Sequence, residues 1–170
     1  MSDERTSSLP AGLTPQKFTF LEISKLVEST NWGDALSGKE VETLSKYLRV
    51  CIAEKGTVIV RESSRDAFLC LLIDGMVSVM KEGEGGAPRQ LGSIRPGKTF
   101  GEMSLIDGEP RSASIVAEER STLVVLTGDG FASLSSEVPR LGFKVLLKIS
   151  KLLSQRLRQT SGALVDQPGG

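Results

Sequence analysis

Short runs rich in apolar and β-branched residues, separated by glycine-containing turns, fill the middle of the chain. Such runs at nearly even spacing, with no long helix between them, predict an antiparallel sandwich or barrel and argue against a parallel α/β sheet. The predicted strands are Val50–Ala53, Thr57–Arg61, Phe68–Ile73, Met76–Met80, Gln90–Ile94, Ser114–Ala117 and Thr122–Leu126. Residues 50–126 are therefore expected to form the β part of the fold.

Helical patterns precede the strands. Residues 1–19 are mostly polar and rich in Ser, Thr and Pro, and they are predicted to form a flexible tail. A short helix is expected at Phe20–Glu28. Ser37, followed three residues later by Glu40, has the form of a capping box, so the next helix should run from about Gly38 to Arg49.

Helical patterns also follow the strands, over residues 128–164. A short helix is predicted at Gly128–Ser135 and a long one from Val138 onward, with residues 165–170 as a second flexible tail. In the long helix, mostly apolar residues recur every three or four positions. They are Leu146, Ile149, Leu153, Leu157, Thr160 and Leu164. This stripe fits either a dimer of two such helices or packing of the helix on its own strands.

Composition argues against several kinds of chemistry. The 170 residues include 21 Lys and Arg and 21 Asp and Glu, so no basic excess points to direct DNA binding. The chain has no histidine, which is the commonest general base and metal ligand. Cys51 and Cys70 stand far apart in apolar segments and are predicted to be buried thiols. We therefore expect no metal site and no enzymatic activity.

The sequence carries no targeting or membrane-spanning pattern. The polar N-terminus lacks the apolar core of a signal peptide. No segment approaches the 18 or more apolar residues of a transmembrane helix. The expected location is the cytoplasm, with no membrane contact.

The segment from Phe100 to Ser114, FGEMSLIDGEPRSAS, has the residues best suited to hold a small anionic ligand. Arg111 offers a planar, permanently charged guanidinium that matches a phosphate. Gly101 permits close backbone approach, and the residues after it can form a helical turn whose free N–H groups face an anion. Ser112 adds a hydroxyl donor. An ionised Glu102 only accepts hydrogen bonds, which suits a sugar hydroxyl rather than a phosphate.

This segment resembles the phosphate-binding cassette of the cyclic-nucleotide-binding domains, in which Phe-Gly-Glu precedes Arg, a small residue and Ala. The spacing from Glu102 to Arg111 is similar to that in kinase regulatory subunits, and the resemblance extends over about residues 36–164. It implies an antiparallel β-roll, a jelly-roll-like double-stranded β-helix, with N-terminal helices and a long C-terminal helix over residues 20–164. The ligand-binding residues implied in this cassette segment (residues 100–114) are Phe100, Gly101, Glu102, Met103, Ser104, Arg111, Ser112 and Ala113.

The same resemblance bears on the identity of the nucleotide. Ser112 stands where eukaryotic cyclic GMP-binding domains typically carry Thr, whereas members that bind cyclic AMP carry Ala or Ser. Residues 156–161 resemble a helical segment of the family's bacterial transcription activators, in which a Thr-Ser pair meets adenine. Thr160 and Ser161 are therefore expected base contacts, if necessary one from each subunit of a dimer. The expected ligand is cyclic AMP, with cyclic GMP as the alternative.

The expected function is that of a stand-alone, non-catalytic sensor. Six residues follow Leu164, too few for the helix-turn-helix of those activators. Ligand occupancy is expected to pass through the C-terminal helix to a partner protein or to a second copy of the chain. A β-roll adaptor that has lost its ligand is the alternative. An enzyme of the metal-dependent cupin type is disfavoured, because it needs histidine and carboxylate ligands.

Overall fold

A computed structural model describes residues 9–165 of the chain. The predictions for residues 1–8 and 166–170 lie outside this range, as does the side chain of Leu164. Within residues 9–165, no helix combines the length and the apolar character needed to cross a bilayer.

The first described segment forms a strand rather than part of a flexible tail. Strand β1 (Thr14–Gln16) pairs antiparallel with residues 50–52, and Leu13 beside it is buried. The tail prediction is therefore wrong for residues 13–19. The three residues of β1 are too few to show a strand periodicity. They become a strand because the edge of the sheet supplies backbone hydrogen-bond partners.

Two helices follow, and each begins with a capping box. Helix α1 (Phe20–Glu28) has the predicted bounds, and Thr19 and Glu22 cap it reciprocally. A single turn of 3-10 helix at Gly33–Ala35 leads to helix α2 (Gly38–Ser45), which starts at the predicted box. The predicted end of α2 at Arg49 is wrong.

Helix α2 stops early because the chain must turn back to enter the sheet. Arg49 opens strand β2 (Arg49–Ala53), where it lies opposite Val125. Leu48 continues the helical spacing and is buried, yet it lies in the turn between the two elements. The apolar periodicity therefore extends beyond the helix itself.

The described strands form two antiparallel sheets. The bounds of the remaining strands are β3 (Val58–Val60), β4 (Phe68–Asp74), β5 (Val77–Glu82), β6 (Pro88–Ile94), β7 (Thr99–Phe100), β8 (Ser114–Ala117) and β9 (Ser121–Thr127). One sheet has the order β1-β2-β9-β4-β7 and the other β3-β8-β5-β6. The predicted strands are confirmed with ends shifted by at most two residues, and the fold is the expected β-roll with flanking helices. The two-residue β7 was not predicted.

Both faces of the five-stranded sheet are covered. Leu69 and Leu71 of β4 pack with the helices, whereas Cys70 and Leu72 point to the other sheet. This double burial explains the uninterrupted apolar run of β4, because a strand buried on both faces shows no alternation. Burial raises the pKa of the Cys51 thiol to about 11, so it stays protonated at neutral pH.

The C-terminal helices cover the helical face of that sheet. Helix α4 (Gly128–Glu137) is followed by α5 (Pro139–Val165), both close to the predicted bounds. The core-facing stripe of α5 is Leu141, Val145 and Ile149, each at most 3% exposed. The predicted stripe is therefore split. Ile149 lies in the core, while Leu146 and Leu157 are exposed.

Candidate ligand-binding site

A cavity of about 630 Å³ lies between the four-stranded sheet, the cassette segment and α5. Strands β3, β5, β6 and β8 contribute side chains to its wall, and α5 contributes Leu152, Gln155, Arg156 and Gln159. The cassette residues that line it are Phe100, Gly101, Glu102, Met103, Ser104, Arg111, Ser112 and Ala113. All of the cassette residues predicted to bind ligand thus meet at one cavity.

Gly101 makes the turn from β7 into a short helix, α3 (Glu102–Asp107). Its φ of 88° lies in the left-handed region, which residues with a side chain rarely adopt. A Cβ here would lie 2.5 Å from the Phe68 carbonyl oxygen and 2.9 Å from Arg111 Nη1. Glycine is therefore required at this position both by the left-handed backbone and because there is no room for a Cβ.

Arg111 is a buried cation held on three sides. Its Nη1 and Nη2 each donate at 3.0 Å, to the carbonyl oxygens of Gly101 and Phe68, and its Nε lies 3.3 Å from Asp66 Oδ1. The guanidinium carbon stands 4.4 Å from the centre of the Phe68 ring. The residue is only 5% exposed. Since a guanidinium has five N–H groups, two remain for a ligand at the cavity.

Asp66, which the sequence reasoning missed, belongs to the loop that positions Arg111. The backbones of this loop and of Arg111 exchange two hydrogen bonds of 2.8 Å, through Ser63 N–H and Ser64 O. Ser64 Oγ donates to Asp66 Oδ1 at 2.6 Å. Nothing in the local pattern of this polar loop singles out Asp66, because its partner lies 45 positions away.

Glu102 is a second buried charge, only 2% exposed, and it is paired with α5. One carboxylate oxygen accepts a short hydrogen bond from Thr99 Oγ1. The other accepts from Arg156 Nη1 at 2.8 Å, and Arg156 Nη2 donates to the Thr99 carbonyl oxygen at 2.6 Å. Arg156 thus joins the long helix directly to the cassette segment. Arg156 is the first residue of the segment 156–161 that suggested Thr160 and Ser161, but it was not itself predicted.

Thr160 and Ser161 do not line the cavity of a single chain. Both are exposed, and Thr160 Oγ1 donates at 3.0 Å to the carbonyl oxygen of Arg156 within the same helix. Gln159, directly before Thr160, does line the cavity, and the other α5 residues on its wall lie one to two turns earlier. Base contact by Thr160 and Ser161 stays a prediction, and it requires a second chain or a movement of the helix.

The cavity is strongly cationic although the whole chain has a net charge of zero. Its charged lining residues are the basic Arg95, Lys98, Arg111 and Arg156 and the acidic Glu102. Four positive charges and one negative charge leave a net +3. A cleft lined mainly by one sign of charge attracts ligands of the opposite sign. The geometry therefore fits a small anion with hydroxyl groups.

Comparison with known proteins identifies relatives of the same shape. The family described as Cyclic nucleotide-binding domain matches residues 52–137. A crystal structure of a cyclic nucleotide-binding domain from Methylobacillus flagellatus has a TM-score of 0.79 and 30% identity, and the match covers 94% of this chain and 91% of that one.

Two curated relatives are longer proteins. The chain is 32% identical over 124 residues to the Cyclic AMP receptor protein of Thermus thermophilus, covering 73% of this chain and 56% of that protein. It is 29% identical over 103 residues to the cAMP-dependent protein kinase regulatory subunit of Yarrowia lipolytica, covering 61% and 27%. The chain thus spans about half of the first relative and about a quarter of the second.

Proposed function

Because the chain belongs to the cyclic nucleotide-binding domain family, we propose that its cavity binds cyclic AMP and that ligand occupancy is relayed through α5. The observation that carries the proposal is the pair Arg111 and Glu102. Both are almost completely buried, both line the same cavity, and they offer donors and acceptors of opposite charge.

Arg111 is suited to the cyclic phosphate. A buried anion without a partner costs several kcal/mol, and the guanidinium removes this cost when it is already in place. The contacts with Gly101, Phe68 and Asp66 hold it before a ligand arrives. No conformational search by Arg111 is then needed on binding, which supports a high affinity.

Glu102 is suited to a ribose hydroxyl. Its carboxylate accepts hydrogen bonds but cannot donate them when ionised. One of its oxygens already accepts from Arg156 of α5. A hydroxyl that donates to Glu102 would share or replace that bond. Ligand occupancy would then weaken the link between Glu102 and α5. This supports α5 as the output element.

We propose cyclic AMP rather than cyclic GMP as the ligand on two grounds. The relatives from Thermus thermophilus and Yarrowia lipolytica are named for cyclic AMP. Ser112, at the position that discriminates within the family, also favours adenine. A human cGMP-dependent protein kinase is 37% identical over 73 residues, so cyclic GMP belongs in every binding test.

The decisive experiment is titration calorimetry with cyclic AMP, cyclic GMP and AMP. Cyclic AMP should bind most tightly, and Arg111→Ala should weaken it by about 2–5 kcal/mol, the usual cost of removing one partner of a buried charged pair. Arg120→Ala is the matched control, because Arg120 is exposed, pairs with Glu54, and does not line the cavity. No heat with either cyclic nucleotide, or equal losses in both variants, would contradict the proposal.

The relay can be tested by hydrogen exchange. Cyclic AMP should change the exchange rates of residues 144–163 in the wild type. Arg156→Gln keeps hydrogen-bonding capacity but removes the charge, so it should shrink this change. Lys151→Gln is the control, since Lys151 is exposed on the same helix and does not line the cavity. Identical exchange with and without ligand would exclude α5 as the output.

The proposed output surface is the outer stripe of α5, formed by Phe143, Leu146, Leu147 and Leu157. These side chains are 37–68% exposed. We propose that the stripe contacts a second copy of the chain or a partner protein. Sedimentation of the wild type and of Leu157→Glu distinguishes the two, because only self-association gives a dimer in the pure protein.

A further inference from the structure

Lys81 lies outside the cavity but touches the backbone of the cassette segment. It belongs to β5, and its Nζ donates to the Ser112 carbonyl oxygen at 2.6 Å. The same Nζ lies 2.8 Å from Glu62 Oε1. Lys81 is absent from the cavity wall, so it would not contact a ligand directly.

Glu62 holds the lysine in place. Its Oε2 accepts from the backbone N–H of Glu82 at 2.9 Å, and its own N–H donates to Ser114 Oγ at 2.9 Å. The hydrogen bond from Lys81 is the main cause that lowers the pKa of Glu62. Lys81 is thus fixed between a carboxylate and the Ser112 carbonyl, although its side chain is 46% exposed.

The hydrogen bond from Lys81 to the Ser112 carbonyl fixes the direction of one peptide group. The described chain has no cis peptide bond, and in a trans peptide the C=O and the N–H point in opposite directions. Lys81 Nζ holds the Ser112 carbonyl toward β5, so the Ala113 N–H points away from Lys81. Ala113 lines the cavity, and among residues 9–165 its N–H makes no turn or loop hydrogen bond to another backbone group.

We propose that Lys81 is a positioning residue, which orients the Ser112–Ala113 peptide so that the Ala113 N–H faces the ligand phosphate beside Arg111. The ammonium group also polarises this peptide, because a charged donor on the carbonyl strengthens the N–H as a donor. The inference rests on the proposed function for its ligand. The peptide orientation itself is a property of the free protein.

The first test is nuclear magnetic resonance of the ligand-free protein. The amide ¹⁵N shift of a residue responds to hydrogen bonding of the preceding carbonyl. Lys81→Met should therefore move the Ala113 ¹⁵N resonance, and Lys81→Arg should restore it in large part. Lys55→Met is the control, since Lys55 is exposed in a distant turn. An unchanged Ala113 resonance in Lys81→Met would overturn the inference.

The second test is calorimetry with cyclic AMP. Lys81→Met should weaken binding roughly tenfold, since half-exposed charge-assisted hydrogen bonds lie at the lower end of their range. Lys81→Arg should recover most of the loss, and Lys55→Met should bind like the wild type. Wild-type affinity in Lys81→Met would overturn the inference.

The two tests separate the two proposals. A wild type that binds no cyclic nucleotide contradicts the proposed function, and the Ala113 resonance then still decides the role of Lys81. Where Lys81→Met fails to fold, Glu62→Gln replaces it. Loosening the lysine in this way should shift the same resonance in the same direction, and no shift would overturn the inference.

Discussion

At the scale of single residues, the cavity depends on buried charges that are already paired. Arg111 and Glu102 are each at most 5% exposed, and every buried polar side-chain atom in residues 9–165 has a hydrogen-bond partner. An unpaired buried polar group costs about 1–3 kcal/mol, more if charged. The pairs with Asp66 and Arg156 therefore let the fold keep two charges at a ligand site.

Gly101→Ala should damage both stability and ligand binding. The left-handed conformation alone costs a residue with a Cβ about 1–2 kcal/mol. The added Cβ would also lie within 3 Å of the Phe68 carbonyl and of Arg111 Nη1, so the contacts that hold Arg111 must shift. Urea denaturation and calorimetry should show a larger loss of stability than the left-handed cost, together with weaker binding of cyclic AMP.

Gly56→Ala is the matched control for this prediction. Gly56 has a similar φ of 86°, but a Cβ there would meet no atom within 4 Å. The Gly56→Ala variant should lose only the stability that corresponds to the left-handed conformation, and it should bind cyclic AMP with wild-type affinity. Equal destabilisation in the two variants would show that the space at Gly101 is unimportant.

At the scale of elements, α5 carries three different faces. One face packs in the core through Leu141 and Val145, and the outer stripe is exposed. The third face is basic, and it anchors the helix through Lys144 to Glu40 at 2.7 Å and through Lys148 to the Asn31 carbonyl at 2.8 Å. The first half of α5 is thus fixed to α2 and to the turn after α1, while Arg156 fixes the second half to the cassette segment.

The anchor between Lys144 and Glu40 should be sensitive to acid. The hydrogen bond from Lys144, followed by that from Ser37, holds the pKa of Glu40 below its usual value of 4.5. A lowered pKa in the folded state contributes stability above the unfolded value, and this stability is lost as the pH falls through the folded pKa. The loss should therefore begin near pH 4.5 and grow below it.

Thermal melts between pH 7 and pH 3 test this expectation. The fall in Tm below pH 4.5 should be smaller in Glu40→Gln than in the wild type, because the variant has no carboxylate to protonate. Glu42→Gln is the control, since Glu42 is exposed on the same helix and makes no ion pair among the described residues. Parallel pH profiles for wild type and Glu40→Gln would refute the expectation.

At the scale of the whole molecule, charge is unevenly distributed. The chain is neutral overall, yet the cavity wall has a net +3 from its five charged residues. Arg95 and Lys98 are exposed, and their side chains make no hydrogen bond or ion pair within residues 9–165. Their charges are therefore available to attract an anionic ligand from solution.

Association of cyclic AMP should accordingly be accelerated by charge. Replacing both residues, Arg95→Gln with Lys98→Gln, should lower the association rate roughly tenfold at low salt, with a smaller change in the dissociation rate. The difference from the wild type should shrink as ionic strength rises. The control is the double variant Lys39→Gln, Lys55→Gln. Equal association rates for the two double variants in stopped-flow measurements would contradict this expectation.

Much of the fold follows from local patterns. The bounds of α1, the capping box of α2 and the strands between Val50 and Leu126 depend on neighbouring residues, so periodicity and turns reveal them. The contiguous cassette segment likewise contains eight of the proposed binding residues, and all of these line one cavity. By contrast, β1 and β7 are too short for a pattern, and the sheet alone makes them strands.

The sequence by itself determined the order of the elements, the mainly β fold and the residues of the cassette segment, because these depend on short-range spacing. Only the tertiary structure decided which distant side chains complete the site. Asp66 meets Arg111 across 45 positions, Arg156 meets Glu102 across 54, and Lys81 meets Ser112 across 31. It also decided that Ile149 is core while Leu157 is exposed. Contacts of this kind depend on how elements pack, and packing is set by the whole core rather than by any stretch of neighbours.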